Sequence, residues 1–349
     1  MALCTRWRWK PAFPNLLGRR DFAAALTTVR LMLNVPKTRQ HVAKIAFLFP
    51  GQGAQKVGMG KDVFEATKIG HDTFAAADAA LGESLSGLCF DGPEGDLLLT
   101  ANSQPAILTT SVALLRALGE TCDMVAGHSL GEYSANVAAG TLAFDDAVRL
   151  VRLRGKFMQE AVPVGQGAMA TVLGGDVSAI EELCKSVQGI VEPVNYNCPG
   201  QLVIAGEAQA VNAAVEQLGQ VGAKAKLLPV SAPFHSSLMR PAEENFEPHL
   251  RQAAFSSPTI PVYVNVDAVA VQSADTARDA LIRQVSRPVR WEQTMRRMID
   301  DGVKLFVEIG PGKALTGMLR RINKDMQRVN VETTADLDAA RTAIAQARD

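Results

Sequence analysis

The sequence predicts an α/β protein, with a parallel-sheet core interrupted by a small inserted α+β unit. Three observations carry that prediction. Short, wholly apolar runs such as Lys44–Phe49 (KIAFLF) suit strands buried on both faces of a parallel sheet. Amphipathic helical stretches alternate with these runs. Residues 168–230 read β-α-β-β-α-β, the split βαβ order of a ferredoxin-like module.

Each element has a local reason. The Lys44–Phe49 strand stops at the breaker-rich turn Pro50-Gly51-Gln52-Gly53. Ser103 supplies an N-cap and Pro105 an early helical position, with Leu108, Val112 and Leu115 following at helical spacing. Asp123–Ala126 is a second short strand, and a helix from Glu132 to Ala139 begins just after it. Phe144–Ala161 is a long helix carrying Arg149, Arg152 and Arg154. In the inserted unit, strands are expected at Ala168–Leu173, Val191–Asn195, Gln201–Ala205 and Lys226–Val230, with helices at Val177–Val187 and Ala208–Leu218. The core then resumes with strand Val262–Val266, helices Asp275–Val285 and Trp291–Asp300, and strand Lys304–Glu308. This order implies a large domain over 44–162 and 232–345, a small one over 163–231, and an extension over 1–43.

Composition narrows the function classes. The chain has 349 residues, 47% hydrophobic and 21% charged, as expected of a globular enzyme and not of a disordered chain. Aromatics make up only 5%, too few to build a stacking platform for nucleic acid. No run approaches the roughly 20 apolar residues of a membrane span. Five cysteines, an odd number without CxxC spacing, argue against a disulfide framework or a zinc site and for a reducing compartment, the cytoplasm. No metal is expected. Formal net charge is zero, but unevenly spread: residues 1–44 hold nine basic residues against one acid, Asp21. That basic, acid-poor extension reads either as a transit peptide to the mitochondrial matrix or as an over-long or disordered start, with the folded protein beginning near Lys44.

Gly127-His128-Ser129-Leu130-Gly131 matches G-x-S-x-G between a strand and a helix, the nucleophile elbow of α/β-hydrolase-like cores. The turn holds the Ser129 hydroxyl clear of its own backbone, and the Leu130 amide at the helix start can donate to a developing oxyanion. A serine nucleophile needs a base. Of the five histidines, His41 lies in the extension and His71 and His249 read as solvated. His128 abuts Ser129 and points elsewhere. His235, in the loop Ala232-Pro233-Phe234-His235, is left by elimination. No Asp or Glu stands out as a third member; a backbone carbonyl can also orient a histidine.

Several blocks now fall into one order: Pro50-Gly51-Gln52-Gly53-Ala54-Gln55, Gly127–Gly131 with Glu132-Tyr133, Arg154-Gly155-Lys156-Phe157-Met158-Gln159, Asn195-Tyr196-Asn197, Ala232–His235, Gln284 with Pro288-Val289-Arg290-Trp291, and Glu308-Ile309-Gly310-Pro311-Gly312. With these blocks, over about residues 44–320, the chain resembles the bacterial malonyl-CoA:acyl carrier protein transacylases of fatty-acid synthesis. The bacterial likeness favours an over-long start for residues 1–43. The resemblance implies that Ser129 carries a malonyl ester and that His235 moves the proton. It implies that the main-chain carbonyl of Gln284 orients His235, and that the amides of Gln52 and Leu130 form the oxyanion hole. It also implies that Arg154 clamps the malonyl carboxylate. By itself an arginine beside Arg149 and Arg152 is more often part of a solvated helix face. The partners implied are malonyl-CoA and acyl carrier protein, which brings its own phosphopantetheine, so no cofactor is expected, and the enzyme is expected to be a monomer.

Weaker candidates accompany these. Phe234 reads as a wall against branched acyl groups or as plain core packing. Gln104 and Asn197 read as polar groups of the pocket. Gly310-Pro311-Gly312-Lys313 lacks the spacing of a phosphate loop. Arg283, Arg287, Arg290, Arg296 and Arg297, with Arg320, Arg321 and Lys324, read as a docking rim for an acidic carrier or as a solvated face. The competing functions are a polyketide acyltransferase, a serine esterase or thioesterase with an acidic triad member, and a non-catalytic carrier-binding module.

Overall fold

Residues 43–230 and 232–349 are described by the structure, a computed structural model. The extension expected over 1–43, and both of its readings, lie outside the described residues but for Ala43. In chain order the elements are β1 (Lys44–Phe49), α1 (Lys61–Ala66), α2 (Lys68–Leu81), α3 (Leu85–Asp91), α4 (Glu94–Leu98), α5 (Thr100–Leu118), β2 (Met124–Gly127), α6 (Gly131–Ala138) and α7 (Phe144–Glu160). There follow β3 (Gly167–Gly174), α8 (Val177–Ser186), β4 (Val191–Cys198), β5 (Gln201–Glu207), α9 (Ala208–Gln217) and β6 (Ala223–Leu227). The remainder is α10 (Arg240–Gln252), β7 (Val262–Tyr263), β8 (Ala270–Val271), α11 (Ala274–Arg283), α12 (Trp291–Asp300), β9 (Val303–Ile309), α13 (Ala314–Ile322), β10 (Gln327–Val331) and α14 (Leu337–Arg348).

Two sheets organise these elements. One has the order β10-β9-β1-β2-β7-β8, parallel throughout except for the antiparallel edge strand β8. The other has the order β4-β5-β3-β6, wholly antiparallel, with β-α-β-β-α-β connectivity. The chain is therefore α/β, with a parallel-dominated sheet and a ferredoxin-like α+β unit, as the apolar runs and the element order predict.

Strand β1 shows why the predicted pattern works. Ile45, Phe47 and Phe49 face one buried cluster with α5 and α7, while Ala46 and Leu48 face another with Trp291, Met295 and Leu319. A central parallel strand covered on both faces needs apolar side chains at every position, hence KIAFLF.

Local signals gave way to tertiary contacts at several ends. Helix α5 starts at Thr100, ahead of the expected Ser103 cap, because the Gln159 side chain of α7 accepts from the Thr100 amide at 3.0 Å. Strand β6 starts three residues before the expected Lys226, since its ladder with β3 pairs Ala223 through Leu227; Leu228, Pro229 and Val230 are left to face a cavity. The strand expected over Val262–Val266 stops at Tyr263, and the Asn265 amide donates to the Glu132 side chain at 2.8 Å. Helices α1 and α3–α4 run five to seven residues, too short to show a helical period in sequence.

Candidate active site

Strands β1 and β2 lie side by side and parallel, so both end on the same edge of the sheet. This brings the Pro50-Gly51-Gln52 turn against the Gly127–Gly131 turn. The approach is close enough to require glycine. A Cβ on Gly51 would lie 2.4 Å from the His128 carbonyl oxygen, and one on Gly131 would lie 2.0 Å from that of Phe49. Ser129 sits at the crest with φ 50°, a conformation costly for any residue but glycine and one that throws its hydroxyl outward.

Two neighbours hold that hydroxyl. Ser129 Oγ lies 2.7 Å from His235 Nε2, and His235 Nδ1 lies 2.8 Å from the Gln284 main-chain oxygen. A carbonyl only accepts, so Nδ1 carries the proton and Nε2 offers its lone pair to the serine. Gln284 caps the C-terminus of α11, where carbonyls lack helical partners and the dipole is negative. That oxygen can steady an imidazolium without a carboxylate. Burial, reinforced by the nearby Arg154 guanidinium, holds the His235 imidazole down at about 3, so it is neutral at pH 7.

Arg154 lies on the inner face of α7, 1% exposed, whereas Arg149 and Arg152 on the same helix pair with Asp146 and Glu83. The solvated-face reading of Arg154 is thereby excluded. Its Nη1 donates to Gln104 Oε1 at 2.7 Å; its Nη2 donates to Gln284 Oε1 at 2.9 Å and to Ser129 Oγ at 3.2 Å. The guanidinium also lies over the Tyr133 ring, 5.5 Å from its centroid. Gly155 lets α7 come this near α5, since a Cβ there would stand 2.5 Å from the Thr100 carbonyl oxygen.

A cavity of about 270 Å³ opens onto Ser129, His235 and Arg154, walled by Gln52, Met158, Met169, Asn195, Phe234 and the Leu228–Val230 segment. Phe234 lines the cavity and also packs in the core. The amides of Gln52 and Leu130 donate to no backbone or side-chain group among the described residues, so both remain available to a ligand. Gln104 and Asn197, expected in the pocket, stand behind its wall. Gln104 is spent on Arg154, and Asn197 Oδ1 lies 2.9 Å from His128 Nε2. The polar group that does line the cavity from this strand is Asn195.

Sequence reasoning missed a set behind Ser129. Asn265 Oδ1 accepts from the Ser129 amide at 2.7 Å and its Nδ2 donates to the Gly127 carbonyl at 2.7 Å. Glu132 follows the nucleophile by three residues, so its place in the elbow block was a signal that could have found it. Among the expected docking arginines, Arg283 pairs with Asp267 and Asp279, Arg296 with Glu292 and Arg297 with Asp301. Three of the eight basic residues of that set are thus paired within their own helices and loops. Among the described residues no cluster of three or more His, Cys, Asp or Glu could hold a metal ion, and no helix is long and apolar enough to cross a membrane.

Comparison with known proteins agrees with this geometry. Residues 46–341 match the acyl transferase domain family. A malonyl CoA-acyl carrier protein transacylase of Bacillus subtilis (strain 168) is 44% identical over 315 residues, covering 88% of this chain and 99% of the relative. The crystal structure of an acyl-carrier-protein-S-malonyltransferase from Bartonella henselae superposes with a TM-score of 0.85 at 44% identity, covering 86% of this chain and 99% of that one. A malonyl-transacylase solved in complex with its type II PKS acyl-carrier protein superposes at 0.84 and 45% identity, covering 85% of this chain and 99% of that one. The chain belongs to the acyl transferase domain family, among its malonyl CoA-acyl carrier protein transacylases.

Proposed function

We propose that this enzyme moves a malonyl group from malonyl-CoA to the phosphopantetheine thiol of an acyl carrier protein, through a malonyl ester on Ser129, and so supplies fatty-acid synthesis. The observation that carries this reading is a buried guanidinium, Arg154, in hydrogen-bond reach of the same hydroxyl that faces His235. A cation in a water-poor pocket calls for an anionic acyl group, and malonyl carries one.

In the first half-reaction His235 Nε2 takes the Ser129 proton as Oγ attacks the thioester carbonyl. The amides of Gln52 and Leu130 receive the oxyanion, and the Gln284 carbonyl steadies the imidazolium. Collapse breaks the C–S bond, and the departing CoA thiolate takes the proton from His235. In the second half-reaction His235 accepts the proton of the carrier thiol, the thiolate attacks the ester, and Ser129 leaves with that proton restored. Nucleophile, base and oxyanion donors all come from the chain, so no cofactor is needed. One chain also supplies every group of the site, which suits a monomer, and the relation to bacterial enzymes makes the cytoplasm the expected location.

The test is intact-mass analysis after mixing with malonyl-CoA. The wild type is expected to gain one malonyl group, Ser129→Ala none, and added carrier protein to discharge the adduct. Absence of an adduct, or labelling of Ser129→Ala, would refute the assignment.

A further inference from the structure

Gln284 does two jobs with different parts of itself. Its main chain holds His235, while its side-chain amide stands between Arg154 and the main chain of Ser129. The amide's Oε1 accepts from Arg154 at 2.9 Å, and its Nε2 donates to the Ser129 carbonyl at 3.0 Å. Turned over, the same amide would set N–H against the guanidinium and oxygen against the Ser129 carbonyl. The two ends of a carboxamide have the same shape, so packing cannot choose between these poses; hydrogen-bond partners must.

The strongest such partner is Glu132. Its carboxyl is fully buried beneath the elbow, and Oε2 accepts from Gln284 Nε2 at 2.8 Å and from the Asn265 amide at 2.8 Å. The other oxygen, Oε1, has no partner among the described residues. Burying a carboxyl this way is expensive, and the elbow turn itself does not require it. Asn265, tied to Glu132 through its main chain, holds the Ser129 amide with its side chain. One carboxyl thus governs both sides of the Ser129 main chain and, through Gln284, the guanidinium.

We propose that Glu132 is a positioning residue for acyl transfer: its buried carboxyl fixes the pose of the Gln284 amide, and so locks the Ser129 elbow and the Arg154 clamp into one unit. The chain Arg154–Gln284–Glu132 runs donor to acceptor throughout, and each bond polarises the next. Loss of the Glu132 end removes the charged-acceptor end of the chain that holds the amide in this pose, leaving only Arg154 and the Ser129 carbonyl to hold it, and loosens Arg154 in particular. The consequence is selective, because Arg154 serves an acyl group that bears a carboxylate and does little for one that lacks it. This rests on the malonyl transfer proposed above.

The experiment compares acylation of Ser129 by malonyl-CoA and by acetyl-CoA, followed by quenched intact mass, in three variants of the full chain. Glu132→Gln keeps an acceptor oxygen at full reach and is expected to hold the malonyl-over-acetyl ratio within about threefold of wild type. Glu132→Met fills the same space without an acceptor and is expected to lower that ratio at least about tenfold. Glu132→Asp keeps a carboxyl but one methylene short of Gln284, guards against a Met variant that fails to fold, and is expected to lower the ratio likewise. A purely structural role would reduce both rates alike and leave the ratio alone. A wild-type ratio in Glu132→Asp, or an equal fall of both rates in Glu132→Met, overturns the role of Glu132 while leaving malonyl transfer standing. A wild type without malonyl preference overturns both.

Discussion

Substituting Arg154 by alanine removes a guanidinium that is 1% exposed and makes three hydrogen bonds, to Gln104, Gln284 and Ser129. With malonyl-CoA bound, the variant would leave a carboxylate in the cavity without its cation. Breaking a buried ion pair from one side costs about 3–5 kcal/mol, or roughly two to three and a half orders of magnitude in kcat/KM. Acetyl-CoA brings no carboxylate and loses only the contact between Arg154 and the nucleophile, a charged hydrogen bond of about 1.5–3 kcal/mol. The nucleophile contact is lost with either substrate and cancels, so the malonyl-over-acetyl ratio is expected to fall by the ion-pair cost alone, roughly a hundredfold or more. The assay is the initial rate of Ser129 acylation by each thioester, with a thermal melt to show that the variant is folded. Equal losses for both substrates, or a malonyl loss below tenfold, would refute the clamp.

Three further outcomes follow from the geometry. Burial and Arg154 depress His235 to about 3, below its ordinary 6.5, so it stays deprotonated and able to accept from Ser129 down to moderately acid pH. Burial pushes the Glu132 carboxyl up to about 7, so the test uses Glu132→Gln: its kcat/KM profile for malonyl-CoA should show no inflection near 6.5 and fall only toward pH 3, and a base titrating near 6.5 there would refute this. The same depression means that the unfolded chain binds a proton there before the folded one does, so this residue's share of stability shrinks as pH falls from 6.5 toward 3. Gly127→Ala would set a Cβ 1.9 Å from the Gly131 carbonyl group, and should cost about 3 kcal/mol or more and lower Tm by about 10 °C. Gly95→Ala, with open space around it, is the control; a melt of Gly127→Ala within about 2 °C of wild type would contradict the elbow packing.

How much of this was legible beforehand follows from the range of the interactions concerned. Strand β1 was readable because burial on both faces writes itself into consecutive residues, and the elbow because strand, turn and helix occupy one short window. His235 came out by elimination, since only five histidines exist. The start of α5 is not visible in local sequence because the acceptor for the Thr100 amide is Gln159, 59 residues away. Gln104 and Asn197 read as pocket groups in sequence because residue type cannot tell a side chain facing a cavity from one holding the residue that does.

The amino-acid sequence by itself determined the class of fold and pointed to Ser129 and His235, which the fold brings within 2.7 Å, because these depend on local periodicity, on a glycine-flanked turn and on a scarce residue type. Tertiary structure alone decided where the cation lies and the network behind it. Arg149, Arg152 and Arg154 carry the same charge within six positions of one helix, and only packing against α5 makes the last of them a buried partner of Ser129. Glu132, Asn265 and Gln284 likewise meet across 152 positions of chain, where hydrogen bonds in a dry interior couple groups that no local pattern connects.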